Sequence, residues 1–391
     1  MDSIYLDHSA TTPVREEVFA AMEPFLRDQF GNAGSIHRFG RICRRAVDDA
    51  REQVAALIHA DPREIYFTSG GTESDNLALR GVPATDGREK RRIVTTSVEH
   101  HAVLHAAEHA RRYDGVEVSI ARVDGDGLVD PEAIASLIDG DTVLVSVMHA
   151  NNETGAVQPM EAIAGLCAER GVPFHTDAVQ SAGKLPIDVR DTPIGLLAIS
   201  GHKLYAPKGV GACYIRKGID IVPQALGGFQ ERERRAGTEN VSGIVALGKA
   251  CELAQNEMAS TAERLQRLRD RLEHGVLDRI SGTAINGPIE RRLPGLSNVR
   301  FDGVEGESMV LGLDMEGIAV SSGAACTSGS LDPSHVLLAM GQSHAVAQSA
   351  VRFSLGIGTS DAEIERVLDV LPKLVERLRA GTTREGSAQG F

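Results

Sequence analysis

Apolar and polar positions alternate along this chain with two different periods, and the change between them divides it. Between residue 64 and about 216, short β-rich runs recur: EIYFT (64–68), RRIVTTS (91–97), VEVSIARV (116–123), TVLVSVM (142–148), VPFHTD (172–177) and GLLAIS (195–200). Each has the length and residue types of a strand, and helical sequence lies between most of them. Strands that alternate with helices build a mainly parallel sheet covered on both faces, so the fold class is α/β. Two helical segments precede the sheet, over 14–28 and 40–59.

After GGFQERERRAGTEN (227–240) the pattern changes. A long helix is predicted from about 241 to 277, with arginines at exposed positions as in RLQRLRDRL. LSNVRFDG, GESMVLGLDMEG, IAVSSG and AVRFSLG follow, then a last helix near 361–379, and together they read as a smaller α+β unit. The boundary falls near 255–260, giving a large domain over 14–257 and a small domain made of 1–13 and 258–380. The tail GTTREGSAQGF (381–391) is polar and Gly-rich, the composition of a disordered end.

Composition narrows the function classes. Forty-one basic against 54 acidic residues leave a net charge of −13. That balance disfavours direct binding of nucleic acid. The basic runs ERERR (231–235) and REKRR (88–92) are interrupted by glutamate and read as solvated surface. Five cysteines (43, 167, 213, 251 and 326) are far apart with no CxxC, which argues against a disulfide framework and a thiolate metal site and for a reducing compartment. The start, MDSIYLDHSATTP, has neither a basic nor an apolar leader segment. No run approaches the roughly 18 apolar residues of a membrane span. A soluble, cytoplasmic protein without a membrane partner is expected.

Five stretches carry candidate chemistry, and the first three belong together. YFTSGGTESDN (66–76) is a strand, a Gly-Gly turn and a helix opened by Thr72, with Asp75 at capping-box spacing. Such a helix start suits a phosphate, although a plain capped helix has the same look. In AISGHKLYAPKGVG (198–211), Lys203 follows an apolar strand and is flanked by Ser200 and His202. VPFHTDAVQ ends another buried strand in Asp177, with Gln180 just beyond. A carboxylate there is costly unless a cation faces it. Pyridoxal phosphate accounts for all three: a lysine for its carbonyl carbon, a carboxylate for its ring nitrogen, and Gly71, Thr72, Ser200 and His202 for its phosphate. His100, in SVEHHAV (97–103), stands where an imidazole could stack on the ring and move protons. One thiol, Cys326, stands alone among small residues in SSGAACTSGS (321–330), with nothing nearby to bury it.

These motifs, with YLDHSATTP (5–13), FGNAGSIHRFG (30–40), NNETG (151–155), GGFQERERRAGTEN (227–240), SSGAACTSGSLDPSHVL (321–337) and VRFSLG (351–356), resemble those of the cysteine desulfurases. These are fold-type I pyridoxal phosphate enzymes of the class V aminotransferase-like family. The long segment around Cys326 is similar to the branch that serves iron–sulfur assembly and nitrogen fixation. The resemblance implies a large domain with a mainly parallel seven-stranded sheet plus a smaller α+β domain. It also implies removal of sulfur from L-cysteine, giving L-alanine and a persulfide on Cys326 that passes to a sulfur-acceptor protein. On this resemblance Lys203 binds the cofactor, His100 moves protons, Arg352 anchors the substrate carboxylate, and Asn152 and Gln180 hydrogen-bond the cofactor. Thr238 reaches the phosphate of a neighbouring subunit, which makes the enzyme a homodimer.

Other readings stay open at this stage. His105, Glu108 and His109 fit H-x-x-E-H, a zinc-protease pattern, with His101 one turn earlier, but the pattern is short and its context is missing, so no metal is expected. A selenocysteine lyase could share every residue named. A sulfur-transfer scaffold without chemistry would have no use for Lys203, Asp177 and Cys326 together. Iron–sulfur scaffolds and tRNA- or DNA-thiolation proteins are all possible acceptors.

Overall fold

The six β-rich runs are strands, and a seventh joins them. A computed structural model describes residues 3–322 and 333–388. A short strand β1 (Ile4–Tyr5) and helices α1 (Glu16–Arg27) and α2 (Arg38–Leu57) come first. Next are β2 (Ile65–Thr68), α3 (Gly71–Gly81), β3 (Arg92–Thr96), α4 (His101–Tyr113), β4 (Glu117–Ala121) and α5 (Pro131–Leu137). They lead to β5 (Thr142–Ser146), α6 (Met160–Glu169), β6 (Phe174–Asp177), β7 (Leu196–Ser200) and β8 (Gly211–Ile215).

These strands form one sheet in the order β2-β8-β7-β6-β5-β3-β4. Neighbours from β7 through β4 pair in parallel, and β8 runs antiparallel to both β2 and β7. β8 is the strand the hydrophobic runs left out. It opens on Gly211, where a Cβ would lie 2.5 Å from the Ile199 carbonyl oxygen and 2.6 Å from Gly70 Cα. Small residues let the Ser69–Gly70 turn close over this strand, and they also weaken its β signature.

Helix α7 (Val241–Arg279) spans 39 residues, about 58 Å at 1.5 Å per residue. Its Leu247, Ala250 and Cys251 lie in the core against the sheet, with Val47 and Val54 of α2. Its Leu265, Leu268, Leu272 and Val276 lie in a second core. That core gathers β9 (Thr283–Asn286), β10 (Leu296–Phe301), α8 (Gly306–Met315) and β11 (Ile318–Ala319), followed after α9 (His335–Ala339) and α10 (His344–Gln348) by β12 (Ala350–Ser354) and α11 (Asp361–Ala388). β12-β10-β9 is an antiparallel sheet, and β1 pairs in parallel with β11.

The last helix corrects the expectation of a disordered tail from 381. α11 continues to Ala388, because an established helix gains one backbone bond for each residue it adds and no proline follows Pro372. Residues 389–391 lie outside those described. Among the described residues no helix is long and apolar enough to cross a membrane.

Candidate active site

Parallel α/β sheets bind ligands beyond the carboxyl ends of their strands, and the candidate residues meet there. A cleft with about 1040 Å³ of free space, open to solvent, is lined by Gly71, Thr72, His100, Asn152, Asp177, Gln180, Ser200, His202, Lys203 and Arg352. They come from separate parts of the chain: the end of β2, the loops after β3 and β5, the ends of β6 and β7, and β12.

At one end is the start of α3. The expected capping box is absent: the helix is preceded by Gly70, at φ 153°, with no side-chain cap, and Asp75 turns into the core. The first-turn N–H groups are therefore left for an anion, with the positive end of the helix behind them. Glycine is required at 71, since a Cβ there would stand 2.5 Å from Val179 Cγ2. Asp75 sits in the interior, its Oδ1 3.5 Å from His175 Nε2, and His175 Nδ1 is 2.8 Å from Ser146 Oγ. Burial drives the Asp75 carboxyl well above its usual range and lowers His175 to about 3.

Asp177 ends β6 and accepts the Val179 N–H at 2.9 Å. Burial raises its pKa to about 6, the mark of a carboxylate short of a cation. Lys203 Nζ donates to the carbonyls of Ser9 at 2.5 Å and Ala10 at 2.6 Å. Its pKa falls to about 7, first by burial, then by Lys184 and Arg352, against Asp7 and Asp177, which raise it.

The segment after β1 closes one side. Arg352 Nη2 donates to Asp7 Oδ1 at 2.8 Å and its Nη1 to the Asn152 carbonyl at 3.0 Å, while its Nε is buried without a partner. Gln180 Nε2 donates to the Ser9 carbonyl at 3.0 Å. His202 Nδ1 lies 3.2 Å from Thr11 Oγ1. His100 caps α4, its Nδ1 accepting the Ala102 N–H at 3.1 Å, so the neutral ring carries its proton on Nε2. Burial, with His101, Lys203 and His105 nearby, lowers its pKa to about 4.

One described candidate, Thr238, is not in this cleft. Cys326 lies outside the described residues. On the upstream side of that stretch, Ser321 lines the cleft and its backbone pairs with Arg352. On the downstream side, Ser334 donates to the buried Glu153 carboxylate and His335 Nε2 lies 2.9 Å from the Glu99 carbonyl. Thr238 is exposed, and it follows a run of left-handed residues, Glu231, Arg232 and Glu233. This run is no loose basic patch: Glu231 takes both ends of the Arg51 guanidinium at 2.7 Å, and Arg235 pairs with Glu73 at 2.8 Å.

Sequence reasoning assigned no role to Asp7, Ser9 or His175, and misplaced Asp75. Gly71, Ser74, Asp75, Ala78 and Leu79 are all buried, so a helical face was the available signal for Asp75. Nothing local marks Asp7, whose partner is 345 positions away. The H-x-x-E-H pattern holds no ligand geometry: Glu108 is tied to Arg111 at 2.7 Å, His105 stacks on His101, and His109 packs on Tyr113. Among the described residues no group of three ligating side chains is brought together.

The family model "Aminotransferase class-V" matches residues 4–367. The chain is 48% identical over 376 residues to "Cysteine desulfurase IscS" of Dictyoglomus turgidum, covering 96% of this chain and 95% of the relative. The fold matches a solved "NIFS-LIKE PROTEIN" with a TM-score of 0.89 at 38% identity, over 96% of this chain and 99% of the other. It also matches "SspA in complex with cysteine" with a TM-score of 0.81 at 35% identity, over 90% and 99%. The chain belongs to the aminotransferase class-V family and, within it, to the cysteine desulfurases.

Proposed function

We propose that this cleft takes the sulfur from L-cysteine, releases L-alanine and leaves the sulfur on Cys326 for an acceptor protein. The observation that carries the reading is the convergence of Lys203, Asp177, the uncapped start of α3 and Arg352 on one cleft. Pyridoxal phosphate fits these residues. Asp177 would hold the ring-nitrogen proton, and the cation gained there would relieve a buried carboxylate. The α3 N–H groups, that of Gly71 among them, with Thr72, Ser200 and His202 would hold the phosphate. Gln180 and Asn152 would hydrogen-bond the rest of the ring. When bound, the cofactor supplies an electron sink that makes the carbon–sulfur bond of cysteine breakable.

The chain's own groups do the rest. Lys203, with a pKa of about 7, presents much of its amine uncharged at neutral pH, the form that attacks a carbonyl carbon. Arg352, which lines the cleft, is the guanidinium that takes the substrate carboxylate. His100 Nε2 is the atom that moves protons near the sulfur. The Cys326 thiolate forms the new sulfur–sulfur bond; the carbon–sulfur bond breaks, and its electron pair and a proton stay with the carbon as alanine.

Homodimer formation belongs to the same proposal. Thr238 is exposed and does not line the cleft of its own chain, which suits a role in a neighbour's. Its loop is joined to α2 by Arg44–Glu239 at 2.5 Å, and Phe30, Ile36 and Phe39 on that side and Phe229 before the loop are exposed apolar residues in want of a cover.

Loaded with pyridoxal phosphate, the wild type should be yellow and convert L-cysteine to alanine. Lys203→Ala should lose both the lysine-linked visible band and turnover. A loaded, yellow wild type that forms no alanine from cysteine would overturn the reading.

A further inference from the structure

Behind Ser9 and Lys203 lies a second cleft, which these two residues line together with the first. It is narrow and open to solvent, and it runs along α7 between the two cores. Leu204, Leu253, Met258, Leu265, Leu296 and Ile357 make its wall apolar. Lys184 and His8 lie in the same lining. Lys184 Nζ donates to Gln180 Oε1 at 3.3 Å and has no carboxylate partner among the described residues. Burial, then Arg352, lowers its pKa to about 8, so it keeps its charge at neutral pH. His8 Nδ1 is buried and unpartnered. Glu257, the acidic residue of the lining, is already held by Arg15 at 2.6 Å.

We propose that this second cleft binds a short aliphatic carboxylate, with its chain on the apolar wall and its carboxylate on Lys184. The half-buried Lys184 ammonium makes one hydrogen bond, to a neutral amide, and stands near the cations of Lys203 and Arg352, an arrangement that an anion relieves. A mostly apolar concavity with a few polar groups is the usual form of a small-molecule site. The neutral His8 ring can give a second hydrogen bond to the same anion. The occupant is coupled to the cofactor cleft by contact, because Lys184 holds Gln180 and Ser9 is a shared wall. An anion that draws Lys184 away releases Gln180 Oε1.

The test is direct binding of hexanoate to the purified full-length protein, by titration calorimetry, with hexanol and hexylamine as controls. No cysteine is present, so the result is independent of the sulfur chemistry. Hexanoate should bind saturably, and hexanol at least about tenfold more weakly, the factor one ion pair of about 1.4 kcal/mol supplies. Lys184→Met should erase the preference for the acid, and Ala262→Phe, which fills the cleft from α7, should abolish saturable binding. Absence of saturable hexanoate binding by the wild type would overturn the proposal. Equal affinity for hexanol would do the same, as would undiminished hexanoate binding by a folded Ala262→Phe protein.

Discussion

Lys203 is the residue on which the proposed chemistry turns, and its surroundings set its charge. Burial and the cations of Lys184 and Arg352 lower its pKa from 10.5 to about 7. Capture of pyridoxal phosphate by the cofactor-free protein needs the uncharged amine, so its rate should rise with pH through a midpoint near 7 and then level. Lys184→Met removes a neighbouring cation and should move the midpoint up; Asp7→Asn removes an anion and should move it down. Stopped-flow absorbance gives the profile, and a midpoint near 10 in the wild type would contradict this account. The lysine was legible because it follows a buried strand beside Ser200 and His202. The depth of its shift was not, since Lys184 and Arg352 reach it through the fold.

At the scale of elements, the β2–α3 turn and the 231–235 loop show what local sequence hides. Thr72 and Asp75 have capping-box spacing, yet Asp75 is drawn into the core beside His175 and the helix starts on glycine. Burial of a helical face overrode a local capping preference. Strand β8 was hidden for the opposite reason: close approach to Gly70 demands small residues there. The run ERERR reads as solvated charge, but Glu231 is buried on Arg51, whose guanidinium also donates to the Ile65 carbonyl at 2.7 Å and lies over Phe67. Breaking a buried pair leaves an uncompensated charge. Glu231→Ala should therefore cost about 3–5 kcal/mol in denaturant unfolding. A loss below about 1 kcal/mol, the range of a surface pair, would show that the loop is not anchored as described.

At the scale of the molecule, two cores share one long helix, and the site is assembled across both. The α/β rhythm and the place of the large sheet could be read from hydrophobic periodicity. The closing of Asp7 on Arg352, 345 positions away, could not, because no local pattern encodes a contact made by the β1–β11 and β12 pairings. The dimer is tested by mixing Thr238→Ala with Lys203→Ala subunits. If Thr238 serves its neighbour, one site of a mixed dimer carries both lesions and the other neither, so activity should partly return. No recovery, with mixed dimers demonstrated, would place Thr238 in its own subunit's site. Transfer of sulfur from cysteine to Cys326 is tested by mass spectrometry of the Cys326 peptide after brief exposure of the loaded wild type to L-cysteine. One extra, reductant-labile sulfur should appear on that peptide, formed with alanine and absent from Lys203→Ala; alanine formed at the wild-type rate by Cys326→Ser, with no extra sulfur on the wild-type peptide, would rule the transfer out.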